Sequence, residues 1–286
     1  MPGVPYRPNR RNLGNGTLVI AGRARPASSW NRMGVDESGV NALPPEFFLV
    51  HQGVSREGPG NDASTCEAIR RLPPLPASPA ILDLGCGPGW QSLTLARELR
   101  SRVVAVDLHR PFLERLQRNA REQGLESLIE VRCADFGALE DEPASVDLIW
   151  CESAIYILGF ADGIRRWRPL LRAGGLMVIS EAVWLTEDRP EEAVRHWTEV
   201  PGMTTVAENV RQAEAEAMRI LDTFLLPPEA WWEYYTPLRR RVAALRPQAT
   251  SGSVLAQTLD ETEREIGVYE RCGASFGYAF FIMQKP

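Results

Sequence analysis

The sequence contains no long apolar run, and no stretch reaches the roughly 18 consecutive apolar residues that a transmembrane helix requires. No apolar segment follows the N-terminal arginines, so the sequence also predicts no secretory signal peptide. The formal net charge of −5 gives no general attraction to nucleic acid or to an anionic membrane. We therefore expect a cytoplasmic protein with neither a membrane nor a nucleic acid as its partner.

Cysteine is scarce, with five in 286 residues, and no two lie at the spacing of a metal-binding pair. The sequence therefore predicts no metal site. Cys86, Cys133 and Cys151 fall in or beside predicted strands and are expected to be buried free thiols, as in a reducing compartment. Apolar residues make up 44% of the chain, which suits one globular α/β domain with a sizeable insertion.

The chain divides into five predicted parts. Residues 1–44 carry six arginines and no acidic residue before Asp36, which predicts a flexible basic arm or, alternatively, a flap that closes over a ligand. An N-terminal lid region over residues 45–79 contains a helix near 63–71. It is followed by an α/β core over residues 80–227, a helical cap over the substrate site at residues 228–274 and a final core strand at residues 275–286.

Within the core, apolar strands alternate with helical patterns, as a parallel sheet requires. Strands are predicted over residues 80–84, 102–107, 128–133, 146–151, 176–183, 218–225 and 276–283. Helices are predicted over residues 90–100, 111–122, 162–172, from 190, 204–217 and 253–271. Gly124 and the pair Gly174-Gly175 are interpreted as helix stop signals. The long segment before the last strand favours a functional insertion.

A glycine-rich loop joins the first predicted core strand to its helix, in the stretch ILDLGCGPGW at residues 81–90. Glycines at alternate positions let the backbone pass close to a ligand, and the helix N-terminus beyond offers free N–H groups. A dinucleotide loop has the spacing G-x-G-x-x-G, whereas here Trp90 takes the place of the last glycine. The second strand ends in Asp107, where an acid can accept both hydroxyls of a ribose.

The pattern D-x-G-x-G-x-G closely resembles that of class I S-adenosylmethionine methyltransferases. The likeness extends over about residues 45–286 and is closest to a bacterial subgroup that acts on small molecules. It is carried further by the segments HQGVSREGPGNDAS, LIWCESAIYILGF, VISEAVWL and FGYAFFIMQK. The resemblance implies an α/β fold with a seven-stranded Rossmann-like sheet and helices on both faces. It also implies S-adenosylmethionine as the cofactor, S-adenosylhomocysteine as its product and a small-molecule acceptor as the partner; a homo-oligomer remains open.

The same resemblance assigns residues to the cofactor. The glycine loop and its neighbours should hold the methionine end, Asp107 and Leu108 the ribose and the adenine edge, and Asp135 and Phe136 the adenine ring. The segment after the fourth strand should come nearest the methyl group. The complete predicted cofactor set is Asp83, Gly85, Cys86, Gly87, Gly89, Gln91, Asp107, Leu108, Asp135, Phe136 and Glu152.

Methyl transfer is an in-line displacement, and much of its acceleration can come from positioning and desolvation. A base is needed only when the acceptor must lose a proton, and the candidates are His51, Glu152, Tyr156, Glu181 and His196. Glu152 is expected to be partly desolvated beside the methyl group, where it could accept that proton. Each candidate also has a structural alternative as a hydrogen-bonding or packing residue.

Aromatic side chains of the cap and the fifth strand are predicted to contact the substrate. The predicted substrate-binding residues are Tyr156, Trp184, Trp231 and Tyr235. Six aromatic side chains could form a cage for a sulfonium or an ammonium group, or could simply pack the cap: Trp184, Trp231, Trp232, Tyr234, Tyr235 and Tyr269. The leading hypothesis is a methyltransferase acting on O, N or C of a small organic acceptor. A non-catalytic protein that binds the same cofactor and, third, an NAD-dependent oxidoreductase are the alternatives.

Overall fold

A computed structural model describes residues 34–35, 41–42, 44–198 and 202–286. The predicted arm or flap of residues 1–44 lies largely outside the described residues. From it the structure describes the backbone of two short antiparallel strands, β1 (Gly34–Val35) and β2 (Asn41–Ala42).

One twisted sheet forms the centre of the molecule. Its strands are β3 (Ile81–Leu84), β4 (Val103–Asp107), β5 (Ile129–Cys133), β6 (Val146–Glu152), β7 (Leu171–Trp184), β8 (Thr204–Thr205), β9 (Arg219–Leu225) and β10 (Phe276–Gln284). Seven of them follow the order β5-β4-β3-β6-β7-β10-β9, and the two-residue β8 pairs with β7. The first five strands of this order are parallel, while β10 is antiparallel to both neighbours. The predicted seven-stranded α/β sheet is confirmed, with β8 as an additional edge.

Nine α-helices accompany the strands in the described ranges. They are α1 (Pro45–Val50), α2 (Asp62–Arg70), α3 (Trp90–Leu99), α4 (Arg110–Glu122), α5 (Phe160–Trp167), α6 (Glu191–Trp197), α7 (Val206–Ala215), α8 (Pro228–Leu245) and α9 (Val254–Cys272). Local sequence explains where several begin. Asn61, Thr205 and Ser253 each accept a hydrogen bond from a backbone N–H in the first turn of the helix that follows.

The central strands are buried along their whole length. Every residue of β3 and of β6 is buried, as expected for parallel strands covered by helices on both faces. The carboxyl ends of β3, β4, β5 and β6 therefore meet at one edge of the sheet, and the loops that follow them lie side by side.

The segment between β9 and β10 contains α8 and α9, which pack against each other. Helix α9 also contacts α1 and α6, and α8 contacts α1, so the N-terminal lid region and this insertion lie together. Trp231 is central to their packing: its ring stacks on Tyr269 at 4.3 Å between centroids and lies 5.8 Å from the ring of Phe276.

Three sequence predictions are wrong in detail. The helix predicted over 162–172 ends at Trp167. The pair Gly174-Gly175 lies inside β7 rather than after a helix. This part of the strand is held by a backbone contact, in which the N–H of Gly174 donates to the carbonyl of Lys285 at 2.9 Å. The helix predicted from residue 204 begins at Val206, since 204–205 pair with β7. All five cysteines are free, but Cys133 is exposed, because it ends an edge strand.

Candidate functional site

A cavity of about 430 Å³ opens at the carboxyl ends of β3, β4, β5 and β6. Its volume is within the range of small-molecule and cofactor sites. Its walls include nine residues of the predicted cofactor set, together with Tyr156 and part of the lid region. Those predicted residues are Gly85, Cys86, Gly87, Gln91, Asp107, Leu108, Asp135, Phe136, Glu152 and Tyr156.

The glycine loop forms the floor of this cavity. Gly85 has φ +70°, and a Cβ on it would lie 2.5 Å from the Cβ of Ala154, so a side chain there would collide with the segment after β6. Gly89 has a different reason for being glycine. A Cβ at Gly89 would meet Leu116 of α4 at 2.4 Å, and Gly89 is not among the cavity walls. Gly85 therefore shapes the cavity, while Gly89 permits helix packing behind it.

Asp107 lies at the end of β4 and is 8% exposed. Its Oδ2 accepts a hydrogen bond from the N–H of Gly87 at 2.9 Å, and its Oδ1 accepts one from the N–H of His109 at 2.8 Å. Burial raises the pKa of this carboxyl group, and the two backbone donors oppose that change. The carboxylate thus holds the glycine loop in place as well as facing the cavity.

Asp83 lies behind the loop rather than at the cavity. It is fully buried, and its Oδ2 accepts a hydrogen bond from the hydroxyl of Ser92 at 2.5 Å. Burial raises its pKa to about 7, despite the lowering effect of that hydrogen bond. Gln91, which does line the cavity, donates to the carbonyl oxygen of Cys86 at 3.0 Å. Both side chains support the loop from the side of α3.

The far wall of the cavity is polar at one position and aromatic at the next. Asp135 is exposed, and its Oδ1 accepts from the N–H of Gly137 at 2.7 Å. Phe136 is buried, and its carbonyl accepts from Trp167 Nε1 at 2.7 Å. Leu108 contributes an apolar edge that is 37% exposed. An exposed acid beside a fixed aromatic ring suits a flat, nitrogen-rich ring such as adenine.

Glu152 ends β6 at the cavity, but its oxygens are already engaged. Oε2 accepts from Arg56 Nη1 at 2.6 Å, and Oε1 accepts from the hydroxyl of Thr65 at 2.7 Å and from Trp150 Nε1 at 2.9 Å. Arg56 and Glu152 are both buried. The geometry therefore gives Glu152 a role in anchoring the lid region to the sheet, because Arg56 and Thr65 of that region both donate to its carboxylate.

A second, smaller cavity of about 60 Å³ adjoins the first, and the two share five wall residues, Glu57, Gly58, Pro59, Ser153 and Tyr156. Its other walls come from α6, α8, α9 and β10. They are His196, Trp197, Trp231, Tyr234, Tyr235, Glu261, Arg264, Glu265 and Tyr278. A molecule in the small cavity would thus lie next to one in the large cavity.

The shared wall contains a backbone conformation that is uncommon for a residue with a side chain. Ser153 has φ +57°, and its N–H donates to the hydroxyl oxygen of Ser180 at 3.0 Å. Positive φ at a non-glycine residue is found disproportionately at functional sites. Tyr156 follows in the same segment, and burial raises its pKa well above the ordinary value. Tyr156 therefore keeps its proton and can donate a hydrogen bond from its hydroxyl.

Besides Asp83 and Gly89, three predicted residues lie outside both cavities. His51 is a buried residue of the lid region, where its ring stacks on Phe47 at 4.0 Å and its Nδ1 lies 2.6 Å from Glu57 Oε2. Glu181 is buried in β7, and its Oε1 accepts from the N–H of Ala182 at 2.8 Å. Trp184 lies in a separate surface depression, with the guanidinium of Arg189 4.9 Å from its ring centroid. Trp231 and Tyr235 do line the small cavity.

Several wall residues were not in the predicted site, because no local pattern marks them. Glu57 lies in a loop without periodicity, and Glu265 is one acidic residue among several on the surface-like helix α9. Tyr278 is in an apolar strand whose other residues are core. Only their contacts across the fold bring them together. No group of three or more potential metal ligands occurs in the described ranges of the chain.

The glycine loop lies within a recognised domain. Residues 81–175 match the family model of a methyltransferase domain. Among solved structures, an S-adenosylmethionine-dependent methyltransferase from Geobacter sulfurreducens in complex with S-adenosyl-L-homocysteine superposes with a TM-score of 0.73 at 20% identity, over 85% of this chain and 99% of that one. Residues 81–175 are thus similar to a methyltransferase domain, and the fold of the chain is similar to that of this solved methyltransferase.

Curated relatives of this methyltransferase domain act on varied acceptors, according to their names. A 24-methylenesterol C-methyltransferase from Oryza sativa is 28% identical over 53% of this chain and 45% of its own length. A dimethylglycine N-methyltransferase from Parasynechococcus marenigrum is 34% identical over 38% of this chain and 39% of its own length. The chain thus spans less than half the length of these relatives. None of the described helices is long and apolar enough to cross a membrane.

Proposed function

We propose that the protein transfers a methyl group from S-adenosylmethionine to O, N or C of a small organic acceptor. The observation that carries the proposal is the pair of adjoining cavities. The large one collects the glycine loop, Asp107 and the pair Asp135-Phe136 at the carboxyl ends of parallel strands. The small one shares Tyr156 and Ser153 with it, so two ligands would meet at that wall.

The described residues fit the cofactor at each of its parts. A bound S-adenosylmethionine supplies an activated methyl group. Gly85 and Gly87, both with positive φ, leave room for its methionine end, and the carboxylate of Asp107 would accept hydrogen bonds from its ribose. Phe136 offers a ring face and Asp135 an exposed acceptor for the adenine group. Glu152, which accepts hydrogen bonds from Arg56, Thr65 and Trp150, would hold Arg56 and thus close the lid region over the cavity.

The chain's own contribution to the reaction would be positioning and exclusion of water. The small cavity is enclosed by aromatic residues, of which Trp231 is 2% and Tyr235 3% exposed. Holding an acceptor there in line with the methyl group would convert a bimolecular reaction into one within a complex. Exclusion of water would strengthen the attraction between nucleophile and methyl group. The hydroxyl of Tyr156 would orient the acceptor by donating a hydrogen bond.

The setting proposed for this reaction is the cytoplasm of a bacterium, with a small molecule rather than a nucleic acid as acceptor. Free thiols at all five cysteines suit a reducing compartment. The net charge of −5 does not favour a polyanionic partner.

Calorimetry with S-adenosylhomocysteine and NAD tests the cofactor assignment, and Gly85→Ala is the informative variant. Its Cβ would collide with Ala154, so we expect at least about tenfold weaker binding of S-adenosylhomocysteine. Gly124→Ala is the matched control: Gly124 has φ +67° but nothing within 4 Å of its added Cβ, so both variants suffer the left-handed strain and only one disturbs the cavity.

Mass spectrometry of co-purified ligands, followed by a screen for transfer of labelled methyl groups, then tests the activity. Tighter binding of NAD than of S-adenosylhomocysteine would favour an oxidoreductase and overturn the proposal. Cofactor binding with no transfer to any acceptor in a broad screen would favour the non-catalytic alternative.

A further inference from the structure

The small cavity has aromatic walls and an excess of acidic side chains, two features that attract a cation more than a neutral molecule. Four tyrosines and two tryptophans contribute to its walls, and the described residues around it include three glutamates against one arginine. His196 adds no positive charge at neutral pH, because burial, together with the nearby Arg264, lowers its pKa to about 4. The cavity is therefore both aromatic and acidic.

The aromatic rings form a continuous group around this space. Trp231 lies 5.4 Å from Tyr278 and 5.9 Å from Tyr235 between ring centroids, and Tyr234 lies 5.2 Å from Tyr235. All four rings are buried. Aromatic faces attract cations by roughly 0.5–2 kcal/mol each, and more when water is excluded.

Two of these carboxyl groups, Glu57 and Glu265, are raised in pKa by burial despite their contacts with neighbouring side chains. The contacts of Glu57 with His51 partly offset the effect of burial on its pKa. The hydroxyl of Tyr235 donates to Glu265 Oε1 at 3.1 Å. Glu57 Oε1 has no hydrogen-bond partner in the part of the chain that the structure describes. A bound cation would restore the stabilisation that these groups lose on leaving water.

We propose that the small cavity binds the methyl acceptor as an amine, held in its ammonium form by the aromatic walls and by Glu57 and Glu265. This inference rests on the proposed function and narrows it to transfer to nitrogen. The cavity of about 60 Å³ has room for about four to six water-sized volumes, which suits a small aliphatic ammonium group.

An ammonium nitrogen has no lone pair, so it must lose a proton before it can attack. Glu57 lines both cavities and takes that proton, with His51 Nδ1 2.6 Å from its other oxygen. The nitrogen lone pair then forms the bond to the methyl carbon while the sulfur–carbon bond breaks and its electron pair stays on sulfur. The products are the methylated ammonium and neutral S-adenosylhomocysteine, and the proton on Glu57 passes to solvent.

A pair of matched probes tests recognition of the cation without turnover. Tetramethylammonium and tert-butanol each have five heavy atoms around a tetrahedral centre, but only the first is charged. Their binding to protein saturated with S-adenosylhomocysteine is measured by saturation-transfer NMR, with potassium chloride keeping the ionic strength equal. We expect tetramethylammonium to bind at least about tenfold more tightly than tert-butanol.

Glu265→Gln should reduce this preference to about threefold or less, because it removes one partly buried carboxylate from the wall of the cavity. Glu270→Gln is the control on the same helix, since Glu270 pairs with Arg239 and is not a wall of the cavity. Equal affinity for the two probes in the wild type, or an undiminished preference in Glu265→Gln, would overturn the inference. Failure to bind S-adenosylhomocysteine would instead contradict the proposed function. In that case, the affinities of the two probes for the protein alone would still show whether the small cavity prefers a cation.

Discussion

Replacing Asp107 with alanine tests the assignment of the large cavity most directly. If its carboxylate accepts two ribose hydroxyls, the variant loses two hydrogen bonds to a charged group, each worth about 1.5–3 kcal/mol. Water will satisfy part of this loss, so we expect a net cost of about 2–3 kcal/mol, equivalent to about 30–150-fold weaker binding of S-adenosylhomocysteine. The structure adds a second effect, because the N–H groups of Gly87 and His109 also lose their acceptor. The unfolding free energy should therefore fall by about 1–3 kcal/mol.

Titration calorimetry measures the affinity, and urea unfolding measures the stability. Asp147→Ala separates the two effects, since Asp147 is also buried and its Oδ2 accepts from the N–H of Ala80 at 2.8 Å, but it lies at the opposite end of the sheet. Both variants should lose stability, and only Asp107→Ala should lose affinity. Binding by Asp107→Ala within threefold of the wild type, or an equal loss in both variants, would refute the assignment.

Two further predictions concern buried carboxyl groups. Glu152→Gln should lower the unfolding free energy, measured by urea unfolding, by about 3–5 kcal/mol, because it leaves Arg56 buried beside a neutral partner. Replacing both Arg56 and Glu152 with methionine should recover much of that loss. A Glu152→Gln variant as stable as the wild type would contradict the anchoring role. Burial raises the pKa of Glu181 to about 8 from an ordinary value near 4.5, so wild-type stability should fall as pH rises from about 4.5 to 8, by at most about 1.4 kcal/mol per unit. Glu181→Gln should remove this slope and be more stable than the wild type at pH 9, and parallel stability curves for the two proteins between pH 5 and 9 would exclude the assigned pKa.

Much of the sheet could be predicted from local pattern. Parallel strands that are buried on both faces appear as short, continuous apolar runs, and β3 and β6 are of this kind. The glycine loop could also be predicted from the sequence, because its positive φ values favour residues without a Cβ and so leave glycines at alternate positions. The boundary at β7 could not be found in this way. Its first residue, Leu171, pairs with Val146 of β6, and Gly174 and Gly175 form backbone hydrogen bonds with Lys285. The pair Gly174-Gly175, taken without these distant contacts, resembles a helix stop.

The prediction for Glu152 placed it at the site but did not include the residues that bond to its carboxylate. Its place after β6 puts it at the cavity, as predicted. However, Arg56 lies 96 residues earlier in the chain, and its contact at 2.6 Å changes what the carboxylate can do. A sequence pattern shows that a carboxyl group follows a buried strand, but it does not show which donors occupy its oxygens.

By itself, the sequence determined the sheet, the glycine loop and the strand-end residues Asp107, Asp135 and Phe136 that line the large cavity, because each lies within a few residues of a strand with a clear apolar pattern. The small cavity, in contrast, depends on contacts between segments that are far apart in the sequence. Its walls come from the lid region, the segment after β6, and from α6, α8, α9 and β10. Since these elements are distant along the chain, the charge and aromatic character of that space arise only when folding brings them together.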